Sequence, residues 1–235
     1  MTTKERGARF EGPLETGTFP EKLRARVVTP GESPRVHGYD VEGDLARHYD
    51  FVSIIFLYLT GELPSPIASA AAQVALIFAS PVSVAHASVH SAVLSRLCGG
   101  TSSSLVGASA VGLAEQARHE LEPYADLLEW LAHPTRNYPE VHQATSDTER
   151  EGAQRLLEAL PSGYQLPIMG QNPTRWALIL AIFRDAGLRR REQFEAVIAL
   201  VRMPSALSEA FAERPTNFAR YPINLPPIIY RDPRD

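Results

Sequence analysis

Few residues in this chain have the type and setting to do chemistry. His86 stands in a small-residue run, "VAHASVH", ten residues before Arg96. Arg202 interrupts an apolar stretch, "IALVRMPSALSEA", and His119 sits in a polar one, "ARHELEPYA". Imidazole can exchange a proton near neutrality, and a guanidinium matches the two oxygens of a carboxylate. Each also has a plainer use: a satisfied core histidine (His86), a surface or interface arginine (Arg202), an exposed helix-end histidine (His119). Cys98 precedes Gly99-Gly100 with no evident sequence partner, so it reads as a packed thiol rather than a nucleophile. Asp185 and Glu192 flank a helix junction and read as solvated acids. No zinc spacing surrounds the single cysteine, so no metal site is expected.

Placing such residues falls to helices. In "GYDVEGDLARHYDFVSIIFLYLTGELPSP", Asp40 can cap a helix start, with Glu42 and Asp44 at its positive end. The apolar run from Phe51 to Leu59 is too short to span a membrane and predicts a helix that is nearly all core. Gly61 suits a left-handed C-cap, and Pro64 prevents continuation. Residues 67–89 predict a small-residue helix pair broken near Pro81, and "TSSSLVGASAVGLAEQA" another tightly packed helix. The segment 135–145 reads as the clearest loop and the best internal boundary. Beyond it, Ser146 and Glu149 have capping-box spacing, and Asn172-Pro173 offers an N-cap and first turn for a helix stopping at Gly187. Pro204 is expected to kink or break the next helix. No period-two strands stand out, so the expected class is all-α. The organisation is then an extended arm (1–34), a first helical part (35–134), the linker (135–145), a second helical part with a small subdomain (146–214) and an extended tail (215–235).

Composition narrows the function classes. The chain has 235 residues, 44% hydrophobic and 21% charged, and a net charge of -4 with no long basic block. That argues against a nucleic-acid footprint. One cysteine forbids an internal disulfide, and the first thirty residues lack an apolar signal core, so a cytoplasmic protein is expected.

The same blocks resemble the citrate synthase family. "GYDVEGDLARHYDFVSIIFLYLTGELPSP" is similar to its R-G-Y-x-I-E-x-L-A signature, followed by a Phe-containing helix and G-E-L-P. "ASPVSVAHASVHSAVLSRLCGGTSSSLVGASAVGLAEQ" resembles its next block. "EQFEAVIALVRMPSALSEAFAE" is similar to its late arginine helix, and "NLPPIIY" to an altered R-P-R-x-x-Y. The resemblance covers roughly residues 25 to 230, and in size the chain looks like the citryl-CoA lyase branch. It implies an all-α fold, a homodimer or a heterodimer with a homologous subunit, and a CoA thioester with a dicarboxylate or keto acid as ligands, acetyl-CoA or another acyl-CoA serving as substrate with no cofactor. Dimerisation is expected through the small-residue helices and the apolar tail at 221–230.

Residue by residue, the resemblance implies substrate-binding roles for His86 and Arg202, although the asparagine between His86 and Arg96 is Val89 here. His119 holds the place of a catalytic histidine, but Glu120, Leu121 and Glu122 replace the small residues after it. No histidine stands at the second catalytic position. Thr174 or Trp176 occupies the place of the catalytic aspartate, and Leu225 and Pro227 replace a terminal arginine pair. Two readings follow. One is a citrate synthase-like protein that is catalytically impaired alone, a binding or regulatory subunit. The other is an active transferase or citryl-CoA lyase type enzyme with altered catalytic residues.

Overall fold

The computed structural model describes residue 22 and residues 24–134, 137–166 and 168–216. The tail expected to pack at 221–230 and most of the arm lie outside those residues. Three antiparallel two-residue strands form at the junction of the expected arm and first helical part: β1 (Val28–Thr29) inside the arm, and β2 (Arg35–Val36) and β3 (Tyr39–Asp40) just beyond it. Strands this short cannot display alternation, so no period-two pattern announces them. His37 and Gly38, with φ of 48° and 90°, close the β2–β3 hairpin as a two-residue turn.

The elements after β3 are helices among the described residues, and the chain is all-α in class. Asp40 accepts the Glu42 and Gly43 N–H groups and caps α1, a π-helical turn (Val41–Leu45) that continues as α2 (Ala46–His48). The Ser33 hydroxyl and the Gly43 N–H donate to Asp40 and hold its carboxyl below the usual aspartate range. Next, α3 (Phe51–Thr60) starts at Asp50 and ends at Gly61, whose φ of 84° gives the left-handed cap. It is not the all-core helix expected: only Ser53, Phe56 and Leu57 are buried, and Phe51 is 78% exposed. One face packs on the body and the other stands free.

Helices α4 (Pro66–Ala79), α5 (Ala87–Leu97) and α6 (Ser102–Glu120) follow, with the break at Ser80–Pro81. Their alanines and glycines allow close approach. A Cβ on Gly112 would lie 2.7 Å from the Ser88 Cα, so the α5–α6 seam admits nothing larger there. The core centre is α9 (Arg175–Asp185), in which every residue from Ala177 to Phe183 is buried. Phe183 meets Phe56 with ring centroids 6.2 Å apart. Around it lie α7 (Ala125–Ala132), α8 (Asp147–Ala159), which carries the Ser146–Glu149 capping box, and α10 (Arg191–Ala212).

Three local expectations change. The cap of α9 is Thr174, which accepts the Ala177 N–H; Asn172 instead adopts φ 50° and bonds Ala144 through its carbonyl and its amide. Pro204 does not break α10, which runs through it as one helix. The proline and Leu200, whose carbonyl it crowds, both lie on the solvent face. Cys98 is exposed at the end of α5 rather than packed.

The segment expected to be a plain loop is stitched in. Tyr138, His142 and Ala144 are buried, and His142 Nε2 lies 2.8 Å from the Asp126 carboxylate. The His142 ring stacks on Tyr124 at 4.8 Å, and its carbonyl accepts the Thr174 N–H. Among the described residues no helix is long and apolar enough to cross a membrane.

Candidate functional site

The C-terminal ends of α4 and α6, the N-terminal ends of α5 and α9, and the middle of α10 enclose a cleft of about 410 Å³. Its wall is largely apolar, with Phe78, Leu121, Trp176, Ile179 and Ile198. Its polar residues are His86, Glu120, Tyr124, Arg175 and Arg202. His86 and Arg202, far apart in sequence, thus line one cavity. His119 does not. Its side chain is 81% exposed and lies 3.2 Å from Glu122. One residue along a helix turns the side chain by about 100°, so Glu120 faces the cleft while His119 faces water. Arg96 also lies elsewhere, donating Nε to the Glu213 carbonyl at 3.2 Å.

Arg202 is the most constrained polar group in the cleft. The residue is 4% exposed. Its Nε donates to the Ala79 carbonyl, left free by the end of α4, at 3.2 Å. Its Nη2 pairs with Glu120 Oε2 at 2.8 Å. Its guanidinium carbon lies 5.5 Å from the Trp176 ring centroid, within cation–π reach. Nη1 is buried and has no acceptor among the described residues. A buried donor without a partner is costly, on the order of 1–3 kcal/mol, so this nitrogen is where an anionic ligand would gain most.

Glu120 is the hub of a wider network. Gln116 Nε2 donates to Glu120 Oε1 at 2.7 Å and lies 3.1 Å from His86 Nδ1. Gln116 Oε1 accepts the Ser88 hydroxyl at 2.7 Å, which fixes the amide orientation. With the amide nitrogen facing it, a neutral His86 accepts at Nδ1 and carries its hydrogen on Nε2. His86 is therefore set as a donor at Nε2. Tyr124 adds a hydroxyl; burial, then the negative charges of Glu120 and Glu149, push its pKa above the ordinary tyrosine value and keep it protonated.

Arg175, at the first turn of α9, supplies a second guanidinium, exposed and with no ion pair among the described residues. It is not among the candidate residues read from the sequence. Its position directly after the Thr174 cap, at the positive end of a buried helix, was a signal that the cleft favours anions. The ring of Trp176 at the next position floors the cleft beneath Arg202. Asp185 is not simply solvated: it accepts the Tyr164 hydroxyl at 2.9 Å, away from the cleft. Among the described residues no group of three or more His, Cys, Asp or Glu side chains could hold a metal ion.

No family model matches the sequence, and no curated protein matches it. Among solved structures the chain is similar to the citryl-CoA lyase from Hydrogenobacter thermophilus, at 14% identity and a TM-score of 0.55, over 89% of this chain and 96% of that one. At that identity the likeness speaks for the fold alone, an all-α, citrate synthase-like fold.

Proposed function

We propose that this chain binds a small carboxylic acid, free or as its CoA thioester, in the cleft between α4, α6, α9 and α10. We further propose that alone it does not make or break a carbon–carbon bond. The observation that carries the binding reading is Arg202, a buried guanidinium facing a cavity with one nitrogen unpaired. His86 Nε2 and Arg175 are further donors beside it. The likeness to a citryl-CoA lyase supports a CoA thioester as one form of the ligand.

The catalytic half of the proposal rests on what the cleft lacks. Removing an α-proton needs a carboxylate or other base within hydrogen-bond reach of the substrate carbon. Among the described residues the acid lining the cleft is Glu120, whose Oε1 accepts from Gln116 and whose Oε2 is ion-paired with Arg202 Nη2 at 2.8 Å. A second reading, an active enzyme with altered residues, would use Glu120 as that base once an incoming carboxylate displaced it from Arg202.

A thiol reagent that follows CoA release separates the two. With acetyl-CoA and oxaloacetate the purified chain is expected to release no CoA above background. Turnover of about 1 to 10³ per second refutes the non-catalytic reading. Activity that appears only with a homologous subunit assigns the chain to a two-subunit enzyme.

A further inference from the structure

We infer that Glu120 makes the cleft selective for acids with a single carboxylate and an apolar tail, a 2-oxo monocarboxylic acid for example, over dicarboxylates. This deepens the binding reading above and rests on it. Three independent features converge on it.

The first is charge. Arg175 and Arg202 bring two positive charges to the cleft and Glu120 removes one, so a single anionic group neutralises it. A second carboxylate would face an excess of negative charge in a partly desolvated space.

The second is donor geometry. A guanidinium binds a carboxylate best through two parallel N–H bonds from neighbouring nitrogens. Here Nε donates to the Ala79 carbonyl and Nη2 is ion-paired with Glu120 Oε2, so Nη1, buried and without an acceptor among the described residues, is the nitrogen left for a ligand. An incoming carboxylate gets one nitrogen of Arg202. Glu120 already sits where a second ligand carboxylate would dock, and its own grip is reinforced by Gln116.

The third is the wall. Phe78, Leu121, Ile179 and Ile198 give the same cleft an apolar lining. An alkyl tail buries there, whereas a second carboxylate would lose its water without gaining a partner.

The test uses two five-carbon acids that differ at one end, 2-oxopentanoate with a methyl and 2-oxoglutarate with a carboxylate. Calorimetry on the full chain is expected to show 2-oxopentanoate binding about tenfold or more tighter, the scale of a like-charge contact at partial burial. Glu120→Gln should raise 2-oxoglutarate affinity relative to that of 2-oxopentanoate by a similar factor, about tenfold. Tighter binding of 2-oxoglutarate by the unaltered chain overturns the inference, whatever the variant does. So does an unchanged ratio in a Glu120→Gln protein whose circular dichroism matches the parent. If both acids bind, depend on Arg202 and show no preference, the binding reading stands and the selectivity falls. If neither acid binds, both fall.

Discussion

Two glycines on α6 should respond in opposite directions to the same change. At Gly112 an added methyl would sit 2.7 Å from the Ser88 Cα and 2.9 Å from its Cβ. Carbon atoms pack comfortably at about 3.5–4.0 Å, and the obstacle is backbone, so α5 and α6 must move apart. Overpacking of this kind costs roughly 1–3 kcal/mol, and the better helix propensity of alanine returns about 0.8–1.0. Gly112→Ala is therefore expected to lose up to about 2 kcal/mol net, at roughly 2–4 °C in melting temperature per kcal/mol at this size. At Gly107, an exposed position, nothing lies within 4 Å of the new methyl. Gly107→Ala should gain about 0.5–1 kcal/mol. Urea unfolding with an unchanged m-value measures both. A Gly112→Ala protein as stable as the parent would refute the close-packed seam. The seam also supports the cleft, because Ser88 bonds Gln116 across it, so Gly112→Ala should weaken the proposed acid binding as well.

Replacing Arg202 by Met removes the ion pair with Glu120 and the stacking on Trp176; it should abolish acid binding in calorimetry and cost about 2 kcal/mol in urea unfolding, part of which Glu120→Gln restores. His119→Ala should leave acid affinity unchanged and stability within about 0.5 kcal/mol, since the side chain faces water. Asp50 yields a pH signature. Partial burial opposes its charge, but hydrogen bonds from the Ser53 N–H and from the Ser69 and Ser53 hydroxyls outweigh it and hold its pKa below the ordinary value. A depressed carboxyl stabilises fully above its unfolded pKa of about 3.9 and ceases to as pH falls through the lower folded value. The stability gap between the parent and Asp50→Asn, read by urea unfolding, should thus be flat near neutrality and close below about pH 4; a gap that widens in acid contradicts this.

The legible parts of this fold are those written in neighbouring residues. Asp40, Gly61 and the Ser146–Glu149 pair act on backbone groups within four positions, so their residue types announce them. Thr174 lost out to Asn172 in the sequence because the choice is made at long range: Asn172 is drawn into a left-handed turn by Ala144, 28 residues away. Pro204 reads as a breaker, yet tolerance depends on which face it occupies, a fact of tertiary packing. The cleft divides in the same way. His86 and Arg202 were found through blocks that resemble a known family, whereas the Glu120–Arg202 pair joins the end of one helix to the middle of another. No local pattern encodes that meeting. The exposed face of α3 was hidden for a related reason, since its run of apolar residues reads alike on both sides.

The stitched segment after α7 bears on how this molecule can move. A loop at 137–145 would be the natural pivot for one half of the chain to swing over the other. His142, clamped between the Asp126 carboxylate and the Tyr124 ring, makes it a rivet. Tyr124 itself lines the cleft, so any swing about this segment would tear the cavity wall before the cavity closed. Capture of the proposed acid would then work by side-chain adjustment at the mouth, with Arg175, exposed and without an ion pair among the described residues, as the group that reaches inward. An arm of that length sets the timescale: rotamer changes in picoseconds to nanoseconds, rather than the microseconds to milliseconds of hinged halves.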